Sequence, residues 1–273
     1  MKLSNGTREH FIAIAAAALV GALCLAPAAD AAFVLRLTQY DPDNPDQVVG
    51  TPVVVVDEGA IGAVSDSGLL ATAADEETGV PGRLYYDGQL GPFDLLITNG
   101  LSKPLLGDNT RKRIDMFSGV ISNVGPYPGP PGILELEMTD TDFVYDTYSG
   151  MVKLTSNIGG ATDGTVTAQS FFDRANQEFG MDDITSGLQG PDWGTIPGSA
   201  FAGYAQAFGD IVAGVPFSIS HRVRVEHSGQ AFASTTFNFV TQVHTPEPAT
   251  FAVWGGLGLL GLCCYARRRR AHR

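Results

Sequence analysis

Phe217-Ser-Ile-Ser-His-Arg-Val-Arg-Val-Glu226 changes character at every step. Phe217, Ile219, His221, Val223 and Val225 fall on one face, and Ser218, Ser220, Arg222, Arg224 and Glu226 on the other. That two-residue period is the mark of a strand with one buried side. Ser228-Gly229 then offers a turn, and residues 230–240 run back with Phe237 and Phe239 on one side, so the stretch predicts a β-hairpin.

Similar runs recur upstream, punctuated by Gly, Pro, Asp and Asn. Phe33-Val-Leu-Arg-Leu-Thr38 opens the series. Pro52-Val-Val-Val-Val-Asp57 is β-branched throughout and predicts a strand buried on both faces. Phe93-Asp-Leu-Leu-Ile-Thr98 ends at Asn99-Gly100, a strong turn pair. Ile133-Leu-Glu-Leu-Glu-Met138 alternates apolar and acidic residues, which predicts a half-exposed strand, and residues 165–170 form another candidate. One short helix is expected: Ser170 as cap, Asp173 three residues on, Phe172, Ala175 and Phe179 on one face, and Gly180 as stop. Nine or ten strands with frequent turns imply an all-β chain, a single β-sandwich of jelly-roll or Greek-key type.

The ends have a different composition. Lys2 and Arg8 precede an apolar, Ala-rich run over residues 11–25, and Ala26-Pro27-Ala28 and Ala29-Asp30-Ala31 offer small residues for cleavage. This is the pattern of a secretory signal peptide, residues 1–31, cut by signal peptidase after Ala31. A lipoprotein reading fails because Leu23 stands before Cys24. At the other end Pro246-Glu247-Pro248 leads into 18 apolar residues, 249–266, and then Arg267, Arg268, Arg269 and Arg270. As a helix that run reaches roughly 27 Å, close to the hydrocarbon thickness of a bilayer. Its glycines, Gly255, Gly256, Gly258 and Gly261, are tolerated in membrane helices, and the arginines are expected to stay cytoplasmic as a membrane stop. The chain thus divides into a signal peptide, a β-sandwich ectodomain over residues 32–241 and a tail over residues 242–273.

The ectodomain holds 10 basic against 26 acidic residues, a balance of −16. A body so acidic repels nucleic acid and anionic surfaces. All three cysteines, Cys24, Cys263 and Cys264, lie in the end segments, so thiolate-metal and cysteine-nucleophile chemistry are excluded from the ectodomain and no disulfide braces it.

The C-terminal arrangement resembles the PEP-CTERM sorting domain of exosortase substrates in Gram-negative bacteria: Pro246-Glu247-Pro248 at the motif position, a glycine-rich span directly after it, and an arginine cluster closing the chain. The resemblance implies recognition and processing by exosortase, with delivery from an inner-membrane precursor to the cell surface or extracellular matrix. The body is similar to a recurrent domain of such proteins through Leu35-Arg-Leu37, Gly100-Leu-Ser-Lys-Pro104, Thr139-Asp-Thr-Asp-Phe143 and Val225-Glu-His-Ser-Gly229. That domain has no assigned activity, so the likeness implies a fold and no mechanism.

Two acidic clusters, Asp41, Asp43 and Asp46, and Asp140, Asp142 and Asp146, have the oxygen-rich character that calcium takes, without the spacing of an EF-hand. Turn chemistry is the commoner reason for such clusters. No other cofactor is indicated. His221 and His227 are too far apart for a metal pair on one strand and are expected in the core or at a sheet edge, and Ser220-His221 point to opposite faces, which argues against a triad pairing. Trp193, Tyr85, Tyr86 and Tyr127 are candidates for stacking on sugars, although a lone loop tryptophan is more often a core plug. The expected protein is a non-enzymatic exported structural or interaction protein. The alternative is a carbohydrate-binding module, with or without calcium, for exopolysaccharide.

Overall fold

A computed structural model describes residues 33–245, apart from 66–67, 104, 108–109, 123–130, 182–183, 189–197 and 230–231. The stretch expected to be a signal peptide and residues 246–273 of the expected tail lie outside the described residues, as do Trp193 and Tyr127.

Twelve strands are described, and no helix is found among the described residues. They are β1 (Phe33–Tyr40), β2 (Val53–Val56), β3 (Arg83–Leu90), β4 (Phe93–Leu101), β5 (Arg111–Ser122), β6 (Gly132–Phe143), β7 (Gly150–Thr162), β8 (Thr165–Asp173), β9 (Ile184–Leu188), β10 (Ser199–Ile211), β11 (Phe217–His227) and β12 (Ser234–His244). Two antiparallel six-stranded sheets result, in the orders β2-β1-β6-β11-β8-β9 and β10-β7-β12-β5-β4-β3. From β6 onward the chain passes repeatedly from one sheet to the other, as a sandwich built on long connections must. One apolar core lies between the sheets, with Leu35, Leu134, Leu136, Met138 and Phe172 from the first and Phe93, Ile114, Met116, Leu154 and Phe239 from the second.

Five local expectations are corrected. β11 and β12 are not a hairpin: they belong to different sheets. Each strand pairs instead over its length with two others, β11 with β6 and β8, β12 with β5 and β7. The apolar faces that suggested the hairpin therefore meet across the core, where His221 stacks on Phe239 at 4.2 Å between centroids.

The expected helix after Ser170 is absent. Phe171 and Phe172 continue β8, and the Asp173 carboxylate accepts from the Ala175 and Gln177 N–H groups at 2.9 and 3.1 Å. Positive φ at Asn176 (55°) and Phe179 (54°) then rules out helical propagation. Asn99-Gly100 is not a turn either but part of β4, at an irregularity in its pairing with β5. A side chain at Gly100 would press on Met138 and Phe33, 3.0 and 3.2 Å from an added Cβ, so packing dictates this glycine. The β3–β4 turn is made at Gly91-Pro92, with Gly91 at φ 57°. β6, expected to be half-exposed, is buried on both faces because Leu134, Leu136 and Met138 face the core while Phe179 and Met181 lie over its acidic side. Finally, β12 runs to His244, three residues past the expected end of the ectodomain at residue 241.

Candidate functional site

The registers of the first sheet assemble charge on its outer face. Arg36 on β1, Glu137 on β6 and Arg222 on β11 stand in one row, and Thr38, Glu135 and Arg224 in the next. Arg36 Nε donates to Glu137 Oε2 at 2.7 Å, and Arg222 donates to Glu137 Oε1 through Nη2 at 3.0 Å. Arg222 also lies 3.7 Å from Glu135, which accepts the Tyr40 hydroxyl at 3.1 Å. Phe179 and Met181 cover this ladder: the Arg36 guanidinium lies 4.2 Å from the Phe179 ring centre, and Arg222 reaches the Met181 sulfur at 2.9 Å. Burial, reinforced by Glu137, pushes the Glu135 carboxyl up, and burial beside Glu135 pushes the Tyr40 phenol up. Two carboxylates on one strand could serve acid–base chemistry, but Glu137 is held between guanidiniums and covered.

A second cluster closes the end of the sandwich where β1 starts. Asp140 is buried, accepts the Ser102 hydroxyl, and lies 3.3 Å from Lys103 Nζ. Lys103 also donates to the Thr141 carbonyl and sits 4.6 Å from the centre of the Phe143 ring. The stretches Gly100–Pro104 and Thr139–Phe143 therefore meet through these side chains. Burial pushes Asp140 up to about 6, against the opposing pull of Lys103 and Ser102. Asp57 is pushed up to about 7, again chiefly by burial, with the Gly82 N–H opposing and Asp75, Glu58 and Asp140 adding to it. Asp75 is spent on backbone, accepting from Glu58, Glu77 and Tyr85.

The calcium candidates do not gather. Asp41 accepts the Asp43 N–H at 2.9 Å, an Asx turn, and backbone bonds from Asn44 to Asp41 and from Asp41 to Gln47 close the same loop. Asp43 and Asp46 are exposed in that loop, and Arg224 anchors it through the Pro45 carbonyl at 3.1 Å. Asp142 exchanges hydrogen bonds with Asn176, while Asp146 is exposed. Among the described residues no group of three or more His, Cys, Asp or Glu side chains is placed to hold a metal ion.

His221 and His227 face the core, as expected. Neither His221 nitrogen has a hydrogen-bond partner, and burial pushes its pKa down to about 3. His227 pairs with the Thr235 hydroxyl at 2.9 Å and is pushed down to about 4 by burial, with Asp163 opposing. Tyr86 is buried and Tyr85 half-buried.

The outer face of the second sheet was not legible beforehand. Its cross-strand rows read Ala202, Gly159, Asn238, Phe117, then Tyr204, Asn157, Val240, Asp115, then Gln206, Thr155, Gln242, Arg113. Arg113 and Asp115 pair with each other at 2.8 Å. On β10, β7 and β12 these rows carry no charge. Three aromatic rings stand out of the face: Tyr204 is 56% exposed, Phe208 54% and Phe117 41%. β10 is built largely of Ala and Gly, which hides it from propensity. The one available signal was the even spacing of Tyr204, Gln206 and Phe208.

Architecture defines the class as an all-β protein of two antiparallel sheets. No family model matches the chain, and no curated protein matches it. Among solved structures, the enzymatically active domain of tailspike protein 4 of bacteriophage CBA120 is 10% identical over 58% of this chain and 19% of that one, with a TM-score of 0.25. TmCBM27, a carbohydrate-binding module studied for specific mannan recognition, is 10% identical over 59% of this chain and 89% of its own, with a TM-score of 0.25. The C-terminal CBM6 of LamC, a marine laminarinase from Zobellia galactanivorans, is 15% identical over 45% and 79%, with a TM-score of 0.21. The likeness is slight in each case and assigns nothing to this chain.

Proposed function

We propose that this chain is an exported cell-surface or extracellular-matrix protein, held in the inner membrane as a precursor and processed by exosortase at its PEP-CTERM tail. The observation that carries the reading is the order of the C-terminal segments. β12 keeps its ladder to His244, Thr245 donates to Thr110 at 3.2 Å, and Pro246-Glu247-Pro248 follows at once. In sequence a single residue, Thr245, separates the motif from the end of β12, and the motif runs into the apolar stretch that ends in Arg267, Arg268, Arg269 and Arg270. A membrane-bound processing enzyme would meet such a motif where the apolar run enters a bilayer. The body is read as structural or binding rather than catalytic. Support for this comes from the outer-face carboxylates of the first sheet, which are covered and tied to arginines.

The test is Glu247→Ala in a Gram-negative host that carries exosortase, followed by mass measurement of the product. The expected result is accumulation of the tailed precursor in the membrane fraction. Processing at the rate of the unaltered chain, or full-length product free in the cytoplasm, refutes the reading.

A further inference from the structure

We propose that the outer face of the second sheet is a binding platform for a neutral polysaccharide. The inference concerns the folded face alone and stands whether or not exosortase cuts the tail.

The face combines two chemistries that a sugar chain presents together. Sugar rings carry apolar C–H faces, which stack on exposed aromatic rings, and hydroxyl edges, which need donors and acceptors side by side. Tyr204 and Phe208 stand four residues apart on the outward side of β10, roughly 13 Å along the strand. Phe117 on β5 lies three strands away, roughly 14 Å across the sheet. Between these rings the floor is Asn157, Asn238 and Gln242 with Val240 among them, while the Thr155 hydroxyl is buried against His244. The side-chain amides of Asn157, Asn238 and Gln242 make no hydrogen bond within the protein among the described residues, so each offers a carbonyl acceptor and an NH₂ donor to a ligand. Gly159 and Ala202 keep the neighbouring row low, which lets a chain lie flat.

Charge selects the occupant. The ectodomain carries −16 overall, while the rows of β10, β7 and β12 that hold Tyr204 and Asn238 are neutral. An anionic polymer, whether nucleic acid or a uronate-rich glycan, meets a body of net −16, against which Lys153 beside Phe208 is one cation and Arg113 is already paired with Asp115. A second copy of the chain would set two bodies of −16 against each other. A neutral, hydroxyl-rich polymer incurs neither cost.

The experiment is native affinity electrophoresis of the full chain, purified in a mild non-ionic detergent, through gels containing laminarin, galactomannan or dextran, with alginate as the anionic comparison. Retardation by at least one neutral polysaccharide is expected. Tyr204→Ala and Asn238→Ala should each weaken it about tenfold, the loss of one well-placed contact. Asn44→Ala, on the exposed loop after β1, should leave it unchanged. Phe117→Ala repeats the test on a different strand should a β10 variant fail to fold. No retardation by any of the three neutral polymers, retardation indifferent to the platform substitutions, or stronger retardation by alginate overturns the proposal. So does sedimentation showing a dimer that Tyr204→Ala dissolves.

Discussion

On the outer face of the first sheet, Arg36, Glu137 and Arg222 stand in one row beneath Phe179 and Met181. On the outer face of the second, Tyr204, Asn157 and Val240 stand in one row, and the first two are exposed. Both faces are rich in polar groups, yet the first ties its buried acids to arginines under a cover, while the second pairs Arg113 with Asp115 and leaves Asn157 and Asn238 exposed. Glu137 keeps a charge out of water, and that charge is tolerable only because two guanidiniums share it. The amides of Asn157 and Asn238 are solvated and unengaged, so they cost nothing to keep and remain available to a ligand. A face that closes over its charges fixes the position of loops; a face that stays open and neutral can recognise something.

The sharpest way to break this contrast is Glu137→Ala. Two arginines would lose their shared acceptor under a partial cover, and the expected loss is about 3–5 kcal/mol in equilibrium urea unfolding. A loss below about 1 kcal/mol would mean that the ladder is well solvated and that the two faces are alike. Replacing all three members together, with Arg36→Met, Glu137→Leu and Arg222→Met, should be milder, since the charge left behind is Glu135, which keeps the Tyr40 hydroxyl and the nearby Arg224.

Lys103→Met probes the same logic at the end of the sandwich. Asp140 would stay buried with only the Ser102 hydroxyl and the backbone to support it. A loss of about 2–4 kcal/mol is expected above neutral pH, shrinking in mild acid. The sign follows from the raised carboxyl. With a folded pKa of about 6 against an ordinary 3.8, the folded chain binds more protons than the unfolded one between those values. Its contribution to stability therefore falls as pH rises through that window. Removing Lys103 pushes the carboxyl higher and widens the window. A pH-independent loss would show that packing against Phe143, rather than charge, is the role of Lys103.

His221→Phe examines a polar group that sits between the sheets without a partner. Both nitrogens are unsatisfied while the ring stacks on Phe239, so phenylalanine keeps the stack and removes the cost. A gain of about 1–3 kcal/mol is expected from calorimetry at neutral pH. The acid response should flatten as well. A folded pKa of about 3 against 6.5 means that the unfolded chain takes the proton first, so stability is complete above 6.5 and declines as pH falls toward 3. Loss of stability in the phenylalanine variant would show that the site has no room for the larger ring.

Alternation in residues 217–226 was enough to place β11, its buried face and both core histidines, because period two is a local property. Partner choice is not local. Nothing in Ser228-Gly229 distinguishes a hairpin turn from a crossing between sheets, and the decision rests on which distant strands, β6, β8, β5 and β7, complete the ladders. The same limit explains β6. Glu135 and Glu137 look solvent-facing until Arg36 and Arg222 arrive from strands about a hundred and about eighty residues away in sequence. The Ser170–Gly180 stretch fitted a helix by spacing, and a single carboxylate, Asp173, captured the backbone N–H groups for a turn. The platform of the second sheet was hidden for a different reason: its floor is made by Asn, Gln, Val, Gly and Ala from three strands, each unremarkable alone, and only the register lines them up.

The smallest expected effect is the one that isolates recognition from folding. Asn238→Ala and Asn157→Ala remove exposed amides that make no hydrogen bond among the described residues, and each should leave stability within about 0.5 kcal/mol of the unaltered chain. Cross-strand neighbours could still matter, since Asn238 stands between Gly159 and Phe117 and Asn157 between Tyr204 and Val240. A thermal melt of the Asn157→Ala/Asn238→Ala double variant settles which contribution dominates. An unchanged melting temperature, together with lost polysaccharide retardation, identifies these amides as groups kept for a ligand. A drop comparable to that of Glu137→Ala would instead make them members of the sheet's own stabilising pairs, and the second face would then resemble the first with its partners drawn from neighbouring strands rather than from a cover.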